Sequence, residues 1–185
     1  DEKKVYGLNG TGRSASSLSI DWLKENHPEH ILPSLRFKED SIFKVQVPGA
    51  IAGWCDIIER WGSGNVTLAD VLAPAIDLAE NGFVVSEISA FLWKEAEAKL
   101  KANCNSEKGL SIFLPNKGFK APIKGQFMRN TYLAETLKRV ANYGKMGFYE
   151  GEVADSIVSE LSKRGSLVSK EDLKSHTSTF VDPIS

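Results

Sequence analysis

The segment that decides the fold covers residues 67–82 and reads Thr67-Leu68-Ala69-Asp70-Val71-Leu72-Ala73-Pro74-Ala75-Ile76-Asp77-Leu78-Ala79-Glu80-Asn81-Gly82. Its apolar residues at positions 68, 71, 72, 75, 76 and 79 recur at the spacing of one helical face. Thr67 followed by Asp70 is close to a capping box, and Gly82 is a typical helix stop. Pro74 predicts a kink or a division, because its ring clashes with the carbonyl four residues earlier. The segment therefore predicts an amphipathic helix with one face in a core.

Helical patterns continue on both sides of this segment. Pro48 suits the first position of a helix that continues to the glycines at 62 and 64. Further helices are predicted over residues 14–26, 86–103, 130–143, 150–164 and 169–173. Residues 4–9 and 179–185 look extended, residues 29–43 look like a loop, and residues 104–125 look like a loop with at most one strand at 112–114. The sequence thus predicts an α+β fold that is mostly helical.

The chain shows no low-complexity linker, so residues 1–185 are predicted to be a single part of one domain. Its final extended run has no obvious strand partner, and a lone strand needs one. We therefore expect the polypeptide, or a partner chain, to continue elsewhere.

Composition excludes several classes of protein. The chain has 185 residues, a net charge of −1 and no block of like charges, whereas nucleic-acid binders usually carry a basic excess. The sequence contains no run of 18 or more apolar residues, which is the length needed to span a membrane as a helix. Cys55 and Cys104 lack CxxC partners and are predicted to be free, buried thiols, with one disulfide between them as the alternative. His27, His30 and His176 are scattered, and we predict no metal site and no cofactor.

One loop could bind a ligand. In residues 9–14, glycines let backbone N–H groups converge, a helix is predicted to begin near Ser14, and Arg13 adds a positive charge, which together suit a carboxylate. A plain strand-to-helix turn with a solvated arginine is the alternative. Trp54 and Trp61 share a face and are predicted to pack in the core. His27 and His30 are predicted at the surface. The residues themselves reveal no catalytic group, since there is no GxSxG, HExxH or P-loop motif.

Six segments, in order and at matching spacing, resemble the gamma-glutamyltranspeptidase family. They are residues 47–54 (VPGAIAGW), 72–83 (LAPAIDLAENGF), 127–137 (FMRNTYLAETL), 147–154 (GFYEGEVA), 165–173 (GSLVSKEDL) and 183–185 (PIS). The resemblance implies an N-terminal-nucleophile hydrolase, a four-layer αββα sandwich made from one precursor. Such a precursor cuts itself before a threonine, which then heads a small subunit and carries the acyl group.

The resemblance places this chain in the later part of the large subunit, without the nucleophile. It implies a small subunit of the same precursor as partner, and a small peptide-like or gamma-glutamyl substrate, with neither nucleic acid nor membrane. Family members are often periplasmic or extracellular, but the sequence itself does not give a compartment.

One departure from the family pattern affects the expected specificity. The family carries an Arg-Glu pair just after the first strand, and that arginine holds the glutamyl α-carboxylate. Here Thr11 or Gly12 aligns with the arginine, and Arg13 follows one or two places later. The candidate substrate-binding residues are therefore Arg13, Thr11 and Gly12. Three functions remain open: a gamma-glutamyltransferase-like enzyme, a related amidase or cephalosporin-acylase-like enzyme, and a non-catalytic helical scaffold.

Overall fold

The structure is a computed structural model that describes residues 4–34, 36–104 and 106–183. In this part of the chain the helices are α1 (Ile20–Asn26), α2 (Ala50–Trp61), α3 (Leu68–Asn81), α4 (Glu87–Asn103), α5 (Glu107–Phe113), α6 (Thr131–Tyr143), α7 (Met146–Tyr149), α8 (Gly151–Ser162) and α9 (Lys170–Lys174). The strands are β1 (Gly7–Asn9), β2 (Phe83–Val84), β3 (Phe127–Met128) and β4 (Thr179–Val181). The predicted, mostly helical α+β class is confirmed.

The chain forms two compact units. The first unit contains the described residues up to Val71 together with those from Arg139 onward, and the second unit is Leu72–Lys138. None of the helices in the described ranges is both long and apolar enough to cross a membrane. Cys55 and Cys104 are free, as predicted, but each is only half-buried.

In the first unit, β1 and β4 form an antiparallel pair with Gly7 opposite Val181 and Asn9 opposite Thr179. The expectation that the final extended run lacks a partner in this chain was therefore wrong, because the opposite end of the sequence supplies that partner. Ile184 and Ser185, also predicted to be extended, lie outside the described residues.

The starts of the first two helices differ from the prediction. Helix α1 begins at Ile20 rather than near Ser14, and Ser19 is its N-cap, accepting the N–H of Trp22 at 3.1 Å. Gly49 is the N-cap of α2, so Pro48 precedes the helix instead of occupying its first position. Both helices begin later than the sequence suggests, since the residues before them make tertiary contacts described below.

Helix α2 buries a different face from the one predicted. Ile51, Ala52 and Gly53 are buried, whereas Trp54 is 43% exposed and does not belong to the core. Trp61 is half-buried, and its ring stacks on Tyr6 at a centroid distance of 5.3 Å. Because Ala52 and Gly53 have little or no side chain, neighbouring segments can pack closely against this face of α2.

Helix α3 has the predicted capping box. The N–H of Asp70 donates to the Thr67 hydroxyl at 3.1 Å, and the N–H of Thr67 donates to the Asp70 carboxylate at 2.8 Å. The helix continues through Pro74 to Asn81, so Pro74 does not divide it, and the alternative of a kink at Pro74 stays a prediction.

The second unit has a small apolar core. Leu110, Leu114 and Ala121 are buried there, and Trp93, Leu100, Cys104 and Phe119 pack against them. The sequence predicts a loop here, but residues 107–113 form α5, capped by Ser106, which accepts the N–H of Gly109 at 3.1 Å. Because α5 has only 7 residues and contains Gly109, the spacing of Leu110 and Leu114 was not recognised as helical. Strands β2 and β3 also pair antiparallel, and neither was predicted.

The remaining predicted helices are confirmed. Asn130 caps α6 by accepting the N–H of Leu133 at 3.1 Å, and the helix ends before Gly144, which adopts a φ of 58°. Helix α8 lies inside the predicted range of residues 150–164. The short helix predicted from Ser169 is α9, and Ser169 and Asp172 form a capping box at its start.

Candidate substrate-binding site

The loop that follows β1 carries the predicted substrate-binding residues and packs against the segment that enters α2. The N–H of Val47 donates to the carbonyl of Arg13 at 2.9 Å. A Cβ added to Gly12 would lie 2.0 Å from the Val47 carbonyl oxygen, and one added to Gly49 would lie 2.0 Å from that of Gly10. No side chain tolerates such distances, so glycine at 12 and 49 lets the two backbones touch. These contacts fix the loop after β1 against the segment that enters α2.

Tyr149, at the end of α7, fixes the entrance of α2. Its hydroxyl donates to the carbonyl of Pro48 at 2.6 Å and accepts the N–H of Ala52 at 3.0 Å. Ala52 is in the first turn of α2, where an N–H has no acceptor within the helix. Burial raises the pKa of Tyr149 to about 12, so the hydroxyl keeps its proton and remains a donor.

His176 lies next to Tyr149, with 5.5 Å between the ring centroids, and is 4% exposed. Neither of its ring nitrogens has a hydrogen-bond partner among the described residues. Burial lowers the pKa of His176, and the positive charges of Arg13 and Lys145 lower it further. The imidazole is therefore neutral at physiological pH. A buried polar ring with unused nitrogens is uncommon, and it can accept or donate a bond to a ligand or a water.

A cavity of about 610 Å³ opens between the loop after β1, the segment before α2 and the end of α9. It is lined by Gly12, Arg13, Ser14, Ala15, Ser16, Leu18, Gln46, Val47, Asp172, Ser175 and His176. The lining combines a guanidinium, a carboxylate, an imidazole, hydroxyls and an amide, which suits a polar ligand better than an apolar one.

Both oxygens of the Asp172 carboxylate in this lining accept hydrogen bonds from neutral donors. One oxygen accepts the N–H of Ser16 at 2.9 Å, and the other accepts the N–H and the hydroxyl of Ser169 at 2.9 and 2.8 Å. Burial raises the pKa of Asp172, but these hydrogen bonds outweigh burial and lower the pKa to about 2. Asp172 therefore ties the loop to α9 and does not pair with Arg13.

Arg13 is exposed at the cavity, and its guanidinium forms no hydrogen bond or ion pair with the residues that the structure describes. A guanidinium offers two parallel N–H groups that match a carboxylate. Since the nearby imidazole is neutral and the nearby carboxylate is occupied, the charge of Arg13 stays available to a ligand. The arrangement can hold an anionic group.

The structure separates the three predicted site residues. Arg13 and Gly12 line the cavity, whereas Thr11 does not line it, and the N–H of Thr11 donates to the Asn9 side chain at 2.9 Å. The helix N-terminus expected near Ser14 is absent from the site, because α1 begins at Ile20. Anion binding here therefore relies on the guanidinium and not on a helix end.

Sequence reasoning missed two residues of this site. Asp172 was recognised only as part of the start of a short helix, and its second role, binding Ser16, joins positions far apart in the chain. His176 gave no signal at all, since a single histidine between polar residues has no periodicity to show that it is buried. His27 and His30, predicted at the surface, are half-buried, and with Glu29 they could hold a metal ion.

The comparison with protein families agrees with the resemblance seen in the six segments. The profile described as Gamma-glutamyltranspeptidase matches residues 1–185, the whole chain. The chain belongs to the gamma-glutamyltranspeptidase family.

The proteins similar to this chain include gamma-glutamyl enzymes and an acylase, as their names state. The glutathione hydrolase-like YwrD proenzyme of Bacillus subtilis (strain 168) is 34% identical over the whole of this chain, which spans 33% of that protein. The cephalosporin acylase of Bacillus halodurans has a similar structure, with a TM-score of 0.84 and 34% identity over 100% of this chain and 33% of that one. The gamma-glutamyltranspeptidase of Helicobacter pylori has a TM-score of 0.83 and 25% identity over 98% of this chain and 49% of that one.

Proposed function

We propose that this chain is part of a gamma-glutamyltransferase-like enzyme that transfers or hydrolyses a gamma-glutamyl group. In this proposal residues 1–185 belong to the large-subunit part of the protein. A small subunit from the same precursor supplies an N-terminal threonine, whose amine serves as base for its own hydroxyl. The hydroxyl attacks the acyl carbonyl, and the leaving amine departs with a proton. Water or an acceptor amine then releases the acyl group.

The observation that carries this proposal is the unpaired guanidinium of Arg13 at the cavity. In the proposed complex it binds the α-carboxylate of the gamma-glutamyl group through two N–H groups. Gly12 keeps the loop against Val47, so the guanidinium starts from a fixed backbone. Thr11, one residue earlier, is exposed but lies outside the cavity lining, so its role in substrate binding stays a prediction. Family membership and the names of the relatives support the same chemistry.

An acylase that takes another acyl group is the second candidate. It is favoured by the position of Arg13, which follows the family's arginine position by one or two residues, and by the structural likeness to a cephalosporin acylase. Both candidates use the same nucleophile and differ in what the cavity holds. A guanidinium would bind a terminal carboxylate in either one, so the α-amino group of the donor becomes the distinguishing feature.

The proposal is tested by donor profiling of the intact protein with anilides of three acyl groups. The gamma-glutamyl anilide has the α-carboxylate and the α-amino group, the glutaryl anilide lacks the amino group, and the 4-aminobutanoyl anilide lacks the carboxylate. Arg13→Ala should lower kcat/KM by about 10- to 100-fold for the two donors with a carboxylate, as expected for loss of hydrogen bonds to a charged group. Arg13→Lys should recover only part of this loss.

Arg36→Ala is the matched control, because Arg36 is exposed and lies outside the cavity lining, so it should leave kcat/KM unchanged. A preference for the glutaryl over the gamma-glutamyl donor would favour the acylase. Equal kcat/KM in the wild type and Arg13→Ala would show that Arg13 does not bind the carboxylate. Intact mass of the same sample should reveal a second chain beginning with threonine; no such chain and no turnover of any donor would favour the non-catalytic scaffold.

A further inference from the structure

A group of three possible metal ligands lies in the turn after α1, within the first unit. Nδ1 of His27 is 3.2 Å from Oε1 of Glu29, and Nε2 of His30 is 3.7 Å from the same oxygen. One ligand atom from each of the three residues lies within 4.8 Å of the others. Two imidazoles and one carboxylate thus converge on one small volume.

These distances are close to those of a bound transition metal. With metal–ligand bonds of about 2.0–2.1 Å in a tetrahedral site, neighbouring ligand atoms lie about 3.3 Å apart. The two separations to Glu29 already match that value within a few tenths of an ångström. The remaining separation, between the two histidines, can close by rotation of the His27 side chain, which is 41% exposed.

The backbone and the apolar surroundings hold both imidazoles in place. Residues 28–30 form a 3₁₀ turn that begins with a proline, and the N–H of His30 donates to the carbonyl of His27 at 3.0 Å. The ring of Phe43, itself 5% exposed, lies 5.2 Å from the ring of His27 and 5.0 Å from that of His30. Trp22 covers His27 from another side at 5.4 Å. These contacts restrict the two imidazoles and so reduce the side-chain entropy that they lose on binding.

Ser41 orients the second imidazole. Its hydroxyl oxygen lies 3.1 Å from Nδ1 of His30. With the proton on Nδ1 donated to this oxygen, Nε2 presents its lone pair toward Glu29, as histidines that bind metals usually do.

We propose that His27, Glu29 and His30 form a binding site for one transition-metal ion of the zinc class. Two imidazole nitrogens and a carboxylate oxygen suit Zn²⁺ and exclude a preference for Mg²⁺, which takes oxygen ligands. Three protein ligands leave further positions open to water. This site is independent of the proposed acyl-transfer function.

Calorimetric titration of ZnCl₂ into the intact, tag-free protein, first treated with EDTA and dialysed, tests the proposal. We expect one Zn²⁺ bound per chain and no heat with MgCl₂. His27→Gln, His30→Gln and Glu29→Gln should each weaken binding by more than tenfold. Ser41→Ala, which removes the orienting hydroxyl and also the acceptor of the Phe43 N–H, should weaken binding by about 10- to 100-fold. Glu25→Gln is the matched control, because Glu25 is an exposed carboxylate of α1 outside the group, and it should bind as the wild type does.

Circular dichroism of each variant shows whether it is folded, and the wild-type titration is informative whatever the variants do. Absence of Zn²⁺ binding by the wild type would overturn the proposal. So would unchanged affinity in the folded His30→Gln and Glu29→Gln variants, since the ion would then be held elsewhere.

Discussion

The two units stabilise a buried carboxylate in different ways. In the first unit, the hydrogen bonds that Asp172 accepts from described residues come from neutral donors of Ser16 and Ser169. In the second unit, Glu97 is 7% exposed and faces a ring of charges from Lys94, Lys101 and Lys120, while also accepting the N–H of Ala121 at 3.1 Å. The hydrogen bond from Lys101, followed by that from Ala121, lowers the pKa of Glu97. Neutral hydrogen-bond donors stabilise the charge of Asp172, whereas lysine side chains and one backbone N–H stabilise that of Glu97.

The units also differ in what surrounds these carboxylates. In the first unit, the Tyr149 hydroxyl binds two backbone groups at the entrance of α2, and glycine at 12 and 49 lets neighbouring backbone segments touch. The second unit depends on the small apolar cluster around Leu110 and Leu114. Hydrogen bonds position the candidate site in the first unit, whereas in the second unit apolar packing acts together with hydrogen bonds such as that from Ala121 to Glu97.

The largest effect is expected in the second unit from Leu114→Ala. Leu114 is fully buried, and truncating it removes apolar contacts and leaves a cavity, which should lower the free energy of unfolding by about 2–5 kcal/mol. Urea denaturation gives the size of the loss, and hydrogen exchange over residues 87–128 gives its location.

Leu92→Ala is the matched control, because Leu92 is 59% exposed in the same unit and should change the free energy of unfolding by less than about 0.5 kcal/mol. A loss of the same size in both variants would mean that the apolar cluster does not dominate the stability of the second unit.

In the first unit, Tyr149→Phe should lower the free energy of unfolding by about 2–3 kcal/mol. The substitution keeps the ring but removes the partner of two backbone groups, the carbonyl of Pro48 and the N–H of Ala52. Tyr143→Phe is the control, since Tyr143 is 67% exposed, and it should be neutral. If both variants unfold at the wild-type urea midpoint, directional bonds do not hold the first unit together.

The smallest of the three effects is expected from Asp172→Asn, at about 1–3 kcal/mol near neutral pH. The pKa of Asp172 is lowered from 3.8 to about 2 in the folded protein, so its contribution is fully present above pH 3.8. It is lost as pH falls toward 2, and the difference between wild type and variant should shrink over that range. Urea midpoints measured from pH 7 to pH 2 check this.

Glu97→Gln provides the contrast in the second unit. The lysines around Glu97 have exposed fractions of 35–65%, so salt screens their attraction to the carboxylate. The difference in urea midpoint between wild type and Glu97→Gln should therefore narrow in 1 M NaCl. The Asp172→Asn difference should persist, because its donors are neutral. The same salt response in both variants would remove the distinction between the two carboxylates.

The sequence by itself determined the α+β class, the family and most helices. Local signals carried these results: the capping boxes at Thr67 and Ser169, the cap at Asn130 and the apolar spacing of α6 and α8 all act within a few residues. The sequence also drew attention to Arg13 as a charge available to a ligand. Spacing failed where helices were short, as in α5, since one or two turns give too few repeats to recognise.

Only the tertiary structure decided the surroundings of Arg13. The N–H of Ser16, in the segment before α1, donates to Asp172, and the pairing of β1 with β4 joins segments from the two ends of the chain. The burial of His176 likewise depends on contacts far apart in sequence. Such contacts leave no periodic pattern, because each is a single meeting of distant residues whose partner is chosen by the packing of the whole unit.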